Sequence, residues 1–218
     1  GKDRLLELVG RCGEIAVVAM AMLDEAHTSN FGDPEMTEIS CSVGTRPGIL
    51  ISGHDLKDLS ELLAQSQDEG VDVYTHGEML PAHCYPAFRR YTHLRGNYGS
   101  SWHEQDRDFA AFNGVIIMTG NCIVPVRDSY RNRIFTTGMA GWPGVPPIPH
   151  RHSGACKTSG PGIDLAKTLP PPTNLESGRI VAGFAHEQIL ALSGRIVDAV
   201  KSGAIRRFIV MAGCDGRH

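Results

Sequence analysis

Residues 48–78 read GILISGHDLKDLSELLAQSQDEGVDVYTHGE. Two short apolar runs, Gly48 to Ser52 and Val71 to Thr75, enclose a stretch with helical patterning from Asp55 to Gln67. Strand, helix and strand in that order form a βαβ unit, whose two strands lie parallel in one sheet. The alternation continues downstream: Ser101 to Phe112 is patterned as a helix, and Gly114 to Thr119 and Arg133 to Thr137 are again short apolar runs. The reading is an α/β chain with a Rossmann-like, mostly parallel sheet.

Working outward, Leu5, Leu8, Val9, Cys12, Ile15, Ala16, Ala19, Met20 and Leu23 recur at three- and four-residue steps, which predicts an amphipathic helix from Asp3 to about Glu25. A loop of about twenty residues containing Asn30-Phe31-Gly32-Asp33-Pro34 is expected to follow it and to mark a boundary. Residues Gly138 to Pro149 are too rich in proline and glycine for a helix interior and read as an ordered loop. After the linker Leu169-Pro170-Pro171-Pro172-Thr173 comes another strand–helix–strand pattern, at Arg179–Gly183, His186–Ser202 and Arg207–Ala212. The last strand runs into Gly213-Cys214-Asp215-Gly216 and the chain stops, without the helix that normally covers a parallel strand. The expected division is residues 1–35 as the end of a preceding domain, 36–172 as the central α/β domain and 173–218 as the start of a further α/β domain, all within a longer protein.

Composition narrows the function classes. The 218 residues carry 21 Lys and Arg against 24 Asp and Glu, a formal charge of −3, which predicts no electrostatic hold on nucleic acid or membrane. No apolar run is long enough to span a bilayer and the first residues lack a signal-peptide core, so a cytoplasmic protein is expected. The six cysteines are scattered without a CxxC pair, which reads as reduced thiols, and the ten histidines direct attention to metal chemistry.

Four metal-binding side chains fall just past strands: His54, Glu78, Cys122 and Cys214. In an open parallel sheet all the carboxyl ends face one way and neighbouring strands are about 5 Å apart, so residues on successive loops can converge. Two thiolates, an imidazole and a carboxylate mix soft and hard donors, which suits a redox-active iron site better than calcium or magnesium; zinc accepts the same set, but structural zinc sites use close Cys or His pairs. Each residue also has a plainer role: His54 as a hydrogen-bonded strand end, Glu78 as a helix cap, each cysteine as a small apolar filler. Other motifs fail. His186-Glu187-Gln188-Ile189-Leu190 begins like HExxH but lacks the second histidine, His76-Gly77-Glu78 has no following P-C-x-x-C, and no glycine-rich phosphate loop is present.

The sequence resembles the hybrid cluster proteins, also called prismane proteins or hydroxylamine reductases. The resemblance rests on Gly53-His54-Asp55-Leu56, Val71 through His83, Gly96-Asn97-Tyr98-Gly99, Thr119-Gly120-Asn121-Cys122, Gly141-Trp142-Pro143-Gly144, Gly183-Phe184-Ala185-His186 and Ala212-Gly213-Cys214-Asp215-Gly216. It implies that the first helix ends an N-terminal helical domain. It also implies that His54, Glu78, Cys122 and Cys214 ligate a hybrid iron–sulfur–oxygen cluster of the 4Fe-2O-2S type, with Glu78 and Cys214 closest to the chemistry and Cys214 at the persulfide position. Further ligands and a second iron–sulfur cluster would then lie outside these residues. The implied reaction is reduction of hydroxylamine to ammonia and water, with a role in nitric oxide detoxification and an electron-donor protein as partner; His76 and His83 are candidate proton donors. Two alternatives stay open: a carbon monoxide dehydrogenase-like nickel–iron–sulfur enzyme, and a metal-free packing module. Cys12, Cys41, Cys84 and Cys156 match no ligand position.

Overall fold

The computed structural model describes residues 1–120, 122–139, 141–149 and 155–210. Its centre is a five-stranded, wholly parallel sheet built from β2 (Gly48–Ser52), β3 (Asp72–His76), β4 (Leu94–Asn97), β5 (Val115–Met118) and β6 (Ile134–Thr136), in the spatial order β4-β3-β2-β5-β6. Counted by the sheet's own strands this is 3-2-1-4-5, the doubly wound order, in which the chain reverses direction between β2 and β5. Every residue of β2, β3 and β5 is buried, which is why β2 and β5 read as mainly apolar runs, while β3 also buries the polar side chains of Asp72, Thr75 and His76.

Alternation within the strands divides the core into two layers. Ile49, Ile51, Val73, Val115 and Ile117 point to one face and pack with Leu59, Leu62 and Leu63 of α2 (Leu56–Ser66) and Ile163 and Ala166 of α4 (Gly160–Lys167). Leu50, Tyr74, Ile116 and Met118 point to the other, against Phe109 and Phe112 of α3 (Gln105–Phe112) and Tyr130. Asp55 caps α2 by accepting the Asp58 backbone N–H at 2.9 Å. Arg133, also buried, donates to the carbonyls of Phe109, Ala110 and Gly114 and so closes the C-terminal end of α3. Burial lowers its pKa from the usual value, and the three carbonyls take the place of water around the guanidinium.

The first helix, α1 (Lys2–Phe31), is longer than its periodicity predicts: Asn30 and Phe31, expected in a loop, form its last turn. Side chains of Thr28 and Asn30 donate to the carbonyls of Asp24 and Ala26, and Phe31 stacks on Phe88 with ring centroids 4.9 Å apart. Local propensity is therefore overridden by an aromatic contact made far along the chain. Apolar side chains such as Leu6, Val9, Val17 and Met20 are exposed along one face of α1, and none of the helix's residues is buried.

Two further elements differ from the sequence reading. The strand expected at Arg179–Gly183 is present as β7 (Arg179–Ala182), but it pairs antiparallel with β1 (Thr37–Ser40) to make a separate two-stranded ribbon. The helix that follows, α5 (His186–Lys201), matches its pattern. The strand expected over Arg207–Ala212 is not formed across residues 207–210, and residues 211–212 lie outside the described ones. Before β7, the proline linker closes on the start of the sheet: Tyr98 Oη donates to the Thr173 carbonyl at 2.9 Å and Asn113 Nδ2 to Thr173 Oγ1 at 2.8 Å.

Candidate metal centre

Each strand of a doubly wound sheet delivers a loop to the same edge, and the crevice opens where the strand order reverses. That point lies between β2 and β5. His54 stands two residues past β2, Cys122 four past β5, and Glu78 two past β3, the strand beside β2. Their ligand atoms all lie within 4.8 Å of one another. At bond lengths of about 2.0–2.3 Å, two donors on one metal ion lie about 3.3–3.8 Å apart in a tetrahedral array and at most about 4.6 Å apart across the ion, so a small inward shift would let the three share one metal, and a cluster with several metal atoms needs less. His54 Nε2 and a Glu78 carboxylate oxygen contact each other directly, and both side chains are partly open to solvent, at 48% and 28%. The fourth expected ligand, Cys214, lies outside the described residues.

The backbone explains the convergence. Thr119 Oγ1 receives the backbone N–H groups of His54 at 3.1 Å and Asp55 at 3.2 Å, and itself donates to the Ser52 carbonyl at 3.1 Å. This stitches the loop after β2 to the loop after β5. Gly53 has φ +115, and a Cβ there would lie 2.5 Å from Thr119 Oγ1 and 2.6 Å from the Gly120 nitrogen. A Cβ on Gly120 would in turn meet His54 Nδ1 at 2.8 Å. Only glycine permits so close a crossing of two loops.

The electrostatics favour a cation. Burial, and then the Glu78 charge, raise the Cys122 thiol above its ordinary range. A carboxylate beside a thiol opposes thiolate formation until a positive charge neutralises both, so the pocket gains most from metal binding. The donor set of imidazole, carboxylate and sulfur suits iron with both sulfide and oxygen. The residues present therefore fit such a group.

The two histidines named as proton donors part company. His76 is wholly buried and lines the pocket with His54, Glu78 and Cys122; its Nδ1 lies 3.1 Å from Ser52 Oγ and its Nε2 3.3 Å from Asp108 Oδ2. Burial alone would raise the Asp108 carboxyl, but hydrogen bonds from His76 and the Ser100 N–H outweigh it and hold it below the usual range. An ionised carboxylate only accepts, so His76 donates to it through Nε2. His83 instead bonds Thr75 Oγ1 at 2.9 Å and does not line the pocket. Burial lowers its pKa to about 4, against which a hydrogen bond with the Gly96 backbone acts only weakly. The neutral imidazole is a poor acid at neutral pH.

That shift has a measurable result. Folded His83 stays unprotonated down to about pH 4, while the unfolded chain takes up its proton near 6.5. The native state is thus at full strength above pH 6.5 and weakens as the pH falls through 4, by about 3 kcal/mol in total. Urea unfolding of wild type and His83→Gln at pH 7 and 4.5 is expected to show that difference only in the wild type.

Sequence reasoning missed Thr119, Gln105 and Asp108 at this site. Gln105 is buried against the Cys122 loop, but a glutamine in the first turn of a short helix carries no pattern that separates it from a solvated one.

The profile of the Prismane/CO dehydrogenase family matches residues 1–218. Among similar proteins, the hydroxylamine reductase of Chlorobaculum tepidum is 64% identical over 216 residues, covering 99% of this chain and 40% of that protein. That of Desulfosudis oleivorans is 58% identical over 217 residues, covering 99% and 40%, and that of Nitratidesulfovibrio vulgaris 54% over 217 residues, covering 99% and 39%. The chain thus spans about 40% of the length of these relatives. A five-stranded parallel sheet, a donor cluster at its reversal point and a match along the whole chain agree, and the chain belongs to the Prismane/CO dehydrogenase family.

Proposed function

We propose that this chain supplies part of the hybrid-cluster site of a hydroxylamine-reducing enzyme, with His54, Glu78, Cys122 and Cys214 as ligands. The observation that carries the reading is the convergence of three of those donors at the reversal point of the sheet. The names of the similar proteins support the substrate. When bound, an iron–sulfur–oxygen cluster of the 4Fe-2O-2S type supplies electrons and an open coordination position for cleaving an N–O bond.

The protein's own groups do the rest. His54 and Glu78 brace each other, and Glu78, a hard and partly exposed ligand, is the donor best placed to swing away and admit a small nitrogen oxide. The net reaction takes hydroxylamine, two electrons and two protons to ammonia and water. His76, its ring fixed between Ser52 and Asp108, orients the wall of the pocket next to Glu78. On this reading residues 1–35 close a helical domain, which would cover the apolar surface of α1, 36–172 form the α/β domain of the site, and 173–218 open the next domain. A second iron–sulfur cluster, an electron-donor protein and a cytoplasmic location belong to the same reading. Among the described residues no helix is long and apolar enough to cross a membrane.

The test is the whole protein purified without oxygen: iron bound in a ratio near that of a four-iron site plus a second cluster, and hydroxylamine consumed with ammonia formed in equal amount. The family also takes in CO dehydrogenases, so nickel is measured in the same sample. Stoichiometric nickel with CO oxidation and no ammonia would replace the proposal by the nickel–iron–sulfur alternative, and a metal-free, colourless whole protein by a packing role.

A further inference from the structure

We propose that α3 is the positioning element of the metal centre, with Gln105 and Asp108 setting the spacing between the sulfur and carboxylate donors. The proposal rests on the reading of Cys122 and Glu78 as ligands. The two residues are three apart on one helix and therefore share a face. Both are buried, at 1% and 0%. The Gln105 carboxamide spans the Cys122 loop: its Nε2 donates to the Cys122 carbonyl, and its Oε1 accepts the Val124 N–H at 3.3 Å. Residues 122–127 form neither helix nor strand, so this side chain supplies backbone partners that regular structure would otherwise give.

One turn on, Asp108 Oδ2 accepts from His76 at 3.3 Å and from the Ser100 N–H at 2.7 Å. His76 ends β3 and stands two residues before Glu78. The same helix therefore grips the loop carrying the sulfur and the strand end carrying the carboxylate. Its own place is fixed by Phe109 and Phe112 in the core and by Arg133 at its C-terminal end. A rigid helix holding two ligand-bearing segments by buried hydrogen bonds fixes the donor spacing before metal arrives, as outer partners do in other metal sites.

The experiment uses the whole protein with its iron. Gln105→Leu removes both bonds at similar volume. It is expected to release iron to a chelator about 10-fold faster than wild type and to change the electron paramagnetic line shape of the cluster. Gln105→Glu keeps the acceptor facing Val124 and loses the donor facing Cys122; it gives the same reading where the leucine variant accumulates poorly. Ile163→Ala loosens the opposite core layer through packing on α4, away from α3, and is expected to lower thermal stability with the wild-type line shape and release rate. Wild-type line shape and release in both Gln105 variants would overturn the proposal, as would an Ile163→Ala protein that reproduces their changes. Unchanged iron and spectrum in Cys122→Ser would instead overturn the ligand reading beneath it.

Discussion

In the whole protein, Cys122→Ser is expected to lose cluster iron and to lower hydroxylamine turnover by at least about 100-fold, beyond the roughly 10–100-fold cost of removing an outer partner of a metal ligand. The reason is chemical: a serine hydroxyl keeps the size of the side chain but offers iron a weak neutral oxygen in place of a thiolate. His54→Ala and Glu78→Ala should show the same loss of iron, because their donor atoms lie within 4.8 Å of the sulfur and of each other. Cys84→Ser provides the control. Cys84 is fully buried, which raises its thiol pKa, and it is outside the donor group. Iron per protein, visible absorption and ammonia formed are the readouts; full iron in Cys122→Ser would remove that residue from the ligand set.

The second large effect concerns stability. Asp58→Ala is expected to destabilise the fold by about 3–5 kcal/mol, a large part of a domain's total, because it leaves an ammonium buried without its counter-charge. Lys157 Nζ lies 2.9 Å from Asp58 Oδ2 and also donates to Thr137 Oγ1, and that hydroxyl bonds the same carboxylate at 3.0 Å. Both charged side chains are about 5% exposed. The group joins the first turn of α2, the end of β6 and the segment before α4, three pieces that meet under the sheet. Asp58→Leu combined with Lys157→Met should recover most of the loss, since an apolar pair of similar volume avoids the desolvation of both charges. Denaturant unfolding of the single and double variants gives the coupling directly. A single variant within 0.5 kcal/mol of wild type would mean that Lys157 finds another partner or escapes to water.

What could be read from the chain follows from where each residue ended up. Gly48 to Ser52 and Val115 to Met118 are central strands, buried on both faces, and such strands must be apolar throughout. β4, with the sequence LRGN, and β1, with TEIS, are short and partly exposed, so neither carries a run or a clear alternation. α4 opens with Gly160-Pro161-Gly162, which looks like a turn; proline is in fact acceptable in the first turn of a helix, where its missing N–H would have no intrahelical partner. The convergence of His54, Glu78 and Cys122 was legible for a topological reason: once the strands are parallel, their following loops share an edge. The parts contributed by side chains from elsewhere were not. Gln105 reaches a carbonyl seventeen residues away, and Lys157 finds Asp58 ninety-nine residues back along the chain.

The glycine crossing at Gly53 and Gly120 bears on how such a centre changes over time. The crossing of the two loops is set at Gly53 by the Gly120 main chain and Thr119, and at Gly120 by the ring of His54. On the proposed ligand reading, exchange of Glu78 or Cys122 would leave that crossing in place while altering which element is captured and what it reacts with. A scaffold of that kind offers a physical route by which one ancestry accommodates both prismane-type and carbon monoxide-oxidising centres.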